Sequence, residues 1–166
     1  MRLPKGVEWS AHCLVMLERL GEGHPVPNST LADVYGLSPT YLNKHLQALS
    51  RHGLLISTPG SAGGFSLSRP AAEITLADVV EALDGDKTIF RCTEIRCDGL
   101  FQARSAEIRA SGSCGIAAAM WRAERAWRSS LASVSIGDLA GGVDALSGLE
   151  LNEFVENRNW KVGHDV

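Results

Sequence analysis

Two short helix patterns joined by a tight turn constrain the fold of this chain more than any other feature. The stretch STLADVYG predicts a first short helix that is capped by Asn28 or Ser29 and stops at Gly36. The stretch LSPTYLNKHLQALSRHG predicts a second helix, with Ser38 at the N-cap and Pro39 at the first helical position. Its expected buried stripe is Leu42, Leu46 and Leu49. Two helices spaced in this way form a helix-turn-helix pattern.

The segment that follows, LLISTPGSAGGFSLSRP, has the alternating pattern of two short strands around a glycine-rich turn. A helix-turn-helix pattern alone is a weak signal, because any two short helices resemble it. A helix-turn-helix followed directly by a hairpin is much more specific. The combination predicts a winged helix.

The charge distribution favours a nucleic-acid surface over this same region. The net charge of −3 argues against nucleic acid as a partner of the whole chain, but charge acts locally. Residues 34–72 include no acidic residue, whereas they include Lys44, Arg51 and Arg69. This interval predicts a surface that faces phosphate, the alternative being chance composition.

In a winged helix the second helix of the motif enters the major groove. Glycine has no Cβ, so the wing turn would let the backbone approach a neighbouring groove closely. The two arginines would contact phosphate. The alternative for all these positions is an ordinary solvated polar face. The predicted DNA-binding residues are Ser38, Thr40, Tyr41, Lys44 and His45 on the helix, Ser61, Gly63 and Gly64 in the wing turn, and Arg51 and Arg69 beside them.

The composition bounds the class of protein. With 166 residues, 45% of them hydrophobic and 21% charged, the chain has the size of one globular domain with an added arm. No apolar run approaches the length of a membrane span, and the N-terminal run CLVML belongs to an amphipathic helix pattern over residues 7–20. We therefore expect a cytoplasmic protein without a membrane partner. Its cysteines would be core thiols, metal ligands or redox groups rather than structural disulfides.

The hydrophobic periodicity of the second half of the chain changes twice. The stretch EITLADVVEALDG predicts an amphipathic helix, whereas residues 88–113 show no sustained period. A structure-poor loop of that length is unusual in a compact domain and often functional. From Gly115 onward, apolar residues recur at intervals of three and four along about five helical turns. This seam predicts a subunit interface, the alternative being burial within its own domain; it comprises Ile116, Met120, Ala123, Trp127, Leu131 and Val134.

The N-terminal stretch GVEWSAHC places Glu8 and His12 four residues apart, on one face of the first predicted helix. One interpretation is a surface ion pair, worth roughly 0.2–0.5 kcal/mol. The other is a pair of metal ligands. The spacing alone leaves both open.

The stretch from LSPTYLNKHL through GSAGGFSLSRP and ITLADVVEALDG to the cysteine loop resembles the Rrf2 (Rrf-two) family of bacterial transcription regulators, over roughly residues 7–140. The family includes iron–sulfur sensors of the IscR and NsrR kind. The stretches GVEWSAH and FRCTEIR are most similar to its redox-sensing RsrR type. This resemblance implies a homodimeric winged-helix regulator that binds a double-stranded DNA operator, with a long dimerisation helix preceded by a cluster-binding loop.

The cysteines depart from the family's common pattern of three closely spaced cysteines. Cys92 matches the first and Cys114 the last, but IRASGS stands where the middle one is expected, and Cys97 lies too close to Cys92 to replace it simply. By resemblance to the RsrR type, a 2Fe–2S cluster would be held by Cys92 and Cys114 of one subunit with Glu8 and His12 of the other. The alternatives are Cys97 in place of one ligand, or no cluster. The remaining cysteine, in the run CLVML, is expected in the core.

The resemblance and the patterns together give a fold class that is mainly α with a small β-hairpin wing: a winged helix-turn-helix domain plus a long dimerisation helix. The expected organisation is a DNA-binding domain over residues 1–84, a cluster-binding loop over 85–114, a dimerisation helix region over 115–140 and a flexible tail over 141–166. Trp9, next to Glu8, would act as a redox relay by repacking when the cluster is reduced. Such a protein would sense redox state or a related stress.

Three rival functions remain. A thiol switch would use a reversible disulfide between Cys92 and Cys114 without iron. A metal-free regulator would leave the cysteines without a role, and a protein-binding winged helix would have no operator. An enzyme is disfavoured, because no phosphate loop, acyl-transfer motif or cofactor fingerprint is present, and His12 and Cys13, adjacent on a helix, point about 100° apart.

Overall fold

A computed structural model of the chain describes residues 3–21, 24–60 and 63–142. The predicted tail from residue 143 onward and Ser61 of the wing turn lie outside the described residues. No helix in the described ranges is long and apolar enough to cross a membrane. The helices and strands are α1 Lys5–Gly21, α2 Asn28–Val34, α3 Pro39–Arg51, β1 Leu55–Thr58, β2 Gly64–Leu67, α4 Leu76–Asp84, α5 Ser105–Ala110, α6 Gly115–Ala132 and α7 Ile136–Gly141.

Helices α2 and α3 form the predicted helix-turn-helix, and the predicted leucine stripe of α3 is fully buried. Gly36 ends α2's turn with a φ of +61°, a conformation that suits glycine. The predicted cap of α2 is wrong, because the helix begins at Asn28 and Pro27 occupies the N-cap position. The Asn28 side-chain amide donates to the carbonyl of Pro39 at 2.9 Å and so ties α2 to the start of α3.

Strands β1 and β2 pair antiparallel, with Leu55 opposite Leu67 and Thr58 opposite Gly64, which confirms the predicted wing. The backbone of Val26 extends this hairpin by exchanging hydrogen bonds with Phe65, at 2.8 and 2.9 Å. A Cβ at Gly64 would lie 2.2 Å from the Val26 carbonyl oxygen. The fold itself therefore requires a glycine at this position.

The core is formed by buried residues of α1, α2, α3, α4 and α7 together with residues of both wing strands. Both α4 and α7 begin with a capping box, formed by Thr75 with Asp78 and by Ser135 with Asp138. The two helix starts are joined by backbone hydrogen bonds, including one of 2.7 Å from the Ile136 amide to the carbonyl of residue 74. This junction joins the segment after α6 to the start of α4.

The predicted apolar seam of α6 divides into two halves. Near its C-terminal end, Trp127 and Leu131 pack against the core of their own chain. Near its N-terminal end, Ile116 is 71% exposed and Met120 is 41% exposed. Burial within its own domain is thus confirmed for the C-terminal half of the seam, whereas the subunit interface stays a prediction for the exposed N-terminal half. Val134 lies beyond the helix, which ends at Ala132.

The expectation of a structure-poor segment over residues 88–113 is wrong. This segment contains two 3-10 turns, Ile95–Cys97 and Gly99–Arg104, and the helix α5. Elements of three to six residues are too short to give a detectable period, which is why the sequence pattern missed them.

Candidate nucleic-acid interface and cysteine site

The N-terminal face of α3 presents the side chains that the sequence predicted. Thr40, Tyr41 and Lys44 are exposed, and Ser38 is exposed at the N-cap position. Pro39 at the first helical position explains why the helix begins there, since its fixed φ suits the first turn and its missing N–H is no loss. This face carries a positive charge and hydroxyl groups at the end of a helix, which suits contact with a DNA backbone and base edges.

His45 differs from the other predicted DNA-binding residues because it is half-buried. Its ring lies edge-on to Tyr41 at 4.9 Å and to Trp9 of α1 at 6.3 Å, measured between ring centroids. Trp9 and Tyr41 make a similar edge contact at 5.4 Å. Burial, followed by the charge of Lys44, lowers the pKa of His45. The imidazole is therefore part of the contact between α1 and α3.

The two arginines also differ from each other. Arg51 is exposed near the end of α3. Arg69 donates to the backbone carbonyls of Glu73 at 3.1 Å and Gly53 at 3.3 Å, and it pairs with Asp78 at 3.4 Å. Arg69 therefore braces the base of the wing against α4, and a phosphate contact would have to share this guanidinium.

The wing turn is built closely around its glycines. Gly63 is buried, and a Cβ there would lie 2.1 Å from the carbonyl oxygen of Thr58. Gly64 is half-buried against Val26. The need for glycine at both positions follows from packing within the hairpin, and their approach to a DNA groove stays a prediction.

Glu8 and His12 are both exposed on α1. Within the described part of the chain neither forms an ion pair, so the interpretation as a simple salt bridge is not what the structure shows. Tyr35 holds the His12 turn, because its hydroxyl donates to the His12 carbonyl at 3.2 Å and the two rings lie 5.5 Å apart. Glu8 is one of the residues that line an apolar cavity of about 300 Å³ between α1, α4 and Leu131.

Cys92 lies in a compact turn made by Glu94. The Glu94 amide donates to the Cys92 sulfur at 3.4 Å, and the Cys92 thiol donates to Glu94 Oε1 at 3.3 Å. Glu94 adopts a left-handed backbone with a φ of 54°, uncommon for a residue other than glycine. Hydrogen bonds from Arg96 and then from the Cys92 thiol lower the pKa of Glu94, so its carboxylate is charged at neutral pH.

Cys114 occupies the N-cap position of α6. The nearby backbone amides of Ala117 and Ile116, with a smaller contribution from the charge of Arg96, lower the pKa of its thiol. The start of a helix stabilises a thiolate in this way. The thiolate is the form that binds metals and attacks disulfides.

The other two cysteines are buried. Cys13 is fully buried, and its burial raises its pKa to about 12, which confirms its predicted place in the core. Cys97 is 5% exposed and its thiol lies 3.8 Å from the carbonyl of Ser105, so it packs inside the cysteine loop. Neither of these thiols is accessible in the way that the partly exposed thiol of Cys114 is.

The structure brings the predicted metal ligands together only in pairs. Cys92 and Cys114 both lie beside the ion pair of Glu94 and Arg96, and the other pair stands on α1. Among the described residues, no group of three or more His, Cys, Asp or Glu side chains converges as a metal site would. One copy of the chain therefore presents the four predicted ligands as two separate pairs, Cys92 with Cys114 and Glu8 with His12.

Sequence reasoning missed the residues that hold the cysteine loop. Glu124 of α6, with its side chain 8% exposed, accepts a hydrogen bond of 3.2 Å from the Ile89 amide. Arg128 pairs with Glu124 and donates to the carbonyl of Lys87 at 2.8 Å. Glu124 and Arg128 lie four residues apart, the spacing of an ordinary ion pair on one helix. No local pattern indicates that both side chains also bind the backbone of a loop more than thirty residues earlier.

The helix-turn-helix, the hairpin wing and the exposed basic face of α3 define a winged-helix DNA-binding transcription regulator. The chain belongs to the Rrf2 family, because the family model described as an iron-dependent transcriptional regulator matches residues 3–142. The resemblance to this family is thereby confirmed. Because the family and its relatives are transcription regulators, the expectation that the protein is not an enzyme is confirmed as well.

Relatives of known sequence agree with this assignment. YffB of Lactococcus lactis, named as an HTH-type transcriptional regulator, is 35% identical over 141 residues, which cover 84% of this chain and 87% of the relative. Protein aau3 of Rhizobium meliloti is 34% identical over 154 residues, which cover 90% and 94% of the two chains.

Two solved structures are similar in fold. CymR of B. subtilis, described as the global cysteine regulator, superposes with a TM-score of 0.64 at 22% identity, over 87% of this chain and 99% of CymR. IscR of T. potens superposes with a TM-score of 0.63 at 17% identity, over 88% and 90% of the two chains. At these identities the likeness shows the fold alone.

Proposed function

We propose that this regulator is a homodimer that binds an operator through α3 and the wing, and that an iron–sulfur cluster shared between its subunits controls this binding. The ligands would be Cys92 and Cys114 of one subunit and Glu8 and His12 of the other. When bound, a 2Fe–2S cluster supplies a one-electron redox change, and fewer thiolate ligands make the reduced form easier to reach.

The donors present fit such a cluster only when two copies of the chain are combined. Each copy offers two thiols in one place and an exposed carboxylate with an exposed imidazole in another. These four groups are chemically suited to iron, since thiolate, imidazole and carboxylate are all iron ligands. The exposed N-terminal half of α6, which begins directly after Cys114, is the surface that a second copy would cover.

The observation that carries the proposal is the contact between α1 and α3 through Trp9. Trp9 lies between Glu8 and His12 in the sequence and packs edge-on against Tyr41 and His45. A change at the ligand turn of α1 would therefore be felt directly by the DNA-reading helix. A tenfold change in operator affinity needs a difference of only about 1.4 kcal/mol between the two states.

The first test is the iron and sulfide content and the visible spectrum of the full chain, purified without oxygen. We expect about two irons and two sulfides per cluster. The iron and sulfide content should be lower in the His12→Ala variant. It should be unchanged in His24→Ala, which alters an exposed histidine away from the site. A wild-type protein without iron after anaerobic reconstitution would overturn the cluster.

Sharing between subunits is tested by mixing two defective chains. One chain carries Cys92→Ser and Cys114→Ser, and the other carries Glu8→Ala and His12→Ala. Each homodimer lacks complete sites, but the mixed dimer regains one complete site if the ligands come from different subunits. Iron in the mixed dimer at half the wild-type content supports sharing, and none in the mixed dimer contradicts it.

The second candidate function is a thiol switch, favoured by the lowered pKa of Cys114 and by the place of both thiols beside one ion pair. Here Cys92 and Cys114 form a disulfide, and their two electrons and two protons pass to an oxidant such as a low-molecular-weight disulfide. Iron-free protein whose operator affinity changes on oxidation, but not in Cys114→Ser, would support this function instead.

A further inference from the structure

The segments that carry Cys92 and Cys114 are about twenty residues apart in sequence, and one side chain joins them. Arg96 Nη2 donates to Glu94 Oε2 at 2.7 Å and to the carbonyl of Gly112 at 3.2 Å. Glu94 holds the Cys92 turn, and Gly112 lies two residues before Cys114. The guanidinium is therefore the bridge between the two cysteine-bearing turns.

The environment of this bridge favours a fixed geometry. The side chains of Arg96 and Glu94 are only 32% and 27% exposed. Glu94 uses one carboxylate oxygen for Arg96 and the other for the Cys92 thiol, while its amide also reaches the Cys92 sulfur. A charged, partly buried hydrogen bond of this kind is among the stronger ones in proteins and holds its partners in one orientation.

We propose that Glu94 and Arg96 are positioning residues: they hold Cys92 and Cys114 as a preformed half-site before any metal arrives. This inference rests on the proposed function and extends it to two residues that are not themselves ligands. Without the bridge the two cysteines would lie on turns that move independently. Cluster assembly would then have to bring the two thiols together.

Another ion pair in the same segment provides a matched control. Arg104 pairs with Glu107 at the same distance of 2.7 Å, but these side chains are 72% and 66% exposed. The Arg104→Ala variant removes an arginine–glutamate pair from the loop without touching either cysteine turn.

The test uses the iron-free full chain and dibromobimane, which fluoresces once both of its arms have reacted with thiols. We expect Arg96→Ala to slow the double alkylation of Cys92 and Cys114 at least fivefold, Arg96→Lys to restore part of the rate, and Arg104→Ala to match wild type. The single variants Cys92→Ser and Cys114→Ser give the background from Cys13 and Cys97. Thermal unfolding of each variant verifies that it is folded.

A second readout joins the inference to the cluster. Arg96→Ala should bind less iron than wild type at limiting iron concentration, whereas Arg104→Ala should not. Equal alkylation rates in Arg96→Ala and wild type would overturn the positioning role, whatever the iron content. The two proposals can also fail separately. If wild type holds no iron while Arg96→Ala is alkylated more slowly than wild type, the proposed cluster is overturned and the preformed pair of thiols stands.

Discussion

Gly6 of α1 lies directly against the imidazole of His45 on α3. A Cβ at Gly6 would come within 2.4 Å of His45 Cε1 and within 2.7 Å of Nδ1. The N-terminal turn of α1 and helix α3 are therefore packed with no space for a methyl group, and the ring of Trp9 lies against the same His45 ring. Helix α1, which carries Glu8, therefore packs directly against α3, so that a shift of either helix moves the other.

We expect Gly6→Ala to lower the free energy of unfolding by about 1–3 kcal/mol, because the extra methyl group forces the His45 ring out of its position. In a His45→Ala background the clash disappears, and the same change should stabilise the helix by about 0.5–1 kcal/mol. Urea unfolding of the four proteins in this double-mutant cycle measures the coupling. Additive effects of the two substitutions would show that the contact is absent.

The stability should depend on pH through His45. Its pKa in the folded chain lies below the ordinary 6.5, so the unfolded chain takes up this proton first as the pH falls. Stability should therefore decrease from about pH 6.5 downward and level off below the pKa of the folded state. The groups around the ring are Trp9, Tyr41 and Lys44.

Denaturation midpoints of wild type and His45→Gln between about pH 7.5 and 5 test this dependence. The variant should lose this component of the pH dependence. His24→Gln, which alters an exposed histidine, should keep it. Identical pH profiles for wild type and His45→Gln would show that the ring titrates as it does in the unfolded chain.

Removal of Glu124 should loosen the start of the cysteine loop. The Glu124→Ala variant leaves the Ile89 amide without its acceptor, which should cost about 1–3 kcal/mol of unfolding free energy. Hydrogen exchange at the Ile89 amide should become faster in the same variant. The exposed Glu81 on α4 provides the control, because Glu81→Ala should change stability by less than about 0.5 kcal/mol. Equal stability losses in both variants would argue against the anchoring role.

Lys44 is expected to contact the DNA backbone or a guanine. In Lys44→Ala, binding to a duplex selected from random-sequence DNA by the wild-type protein should weaken, and the slope of log affinity against log salt should fall by about one. Lys87→Ala changes an exposed lysine next to α4 and should leave the slope unaltered. Unchanged binding by Lys44→Ala at fixed salt would show that α3 docks differently.

Local patterns in the sequence were sufficient for the winged helix. The leucine stripe of α3, the glycine at the end of α2 and the alternating wing strands act over a few residues each, and the structure has them as predicted. The assigned cap of α2 is wrong because the helix begins at Asn28 itself, with Pro27 at the N-cap position. The short turns between Ile95 and Arg104 fell below the length at which a period can be detected.

The sequence by itself determined the helix-turn-helix and the wing, since periodicity and turn residues act locally. The resemblance of its quoted stretches to the Rrf2 family was likewise readable without the structure. The tertiary structure alone decided that His45 faces Gly6 and Trp9, that the seam of α6 is half covered, and that Arg96 joins the turns of Cys92 and Cys114. These contacts connect residues that are distant in sequence, and which side chains meet depends on how the helices pack. A pattern of residue types cannot specify that packing, because the same hydrophobic stripe allows several neighbours.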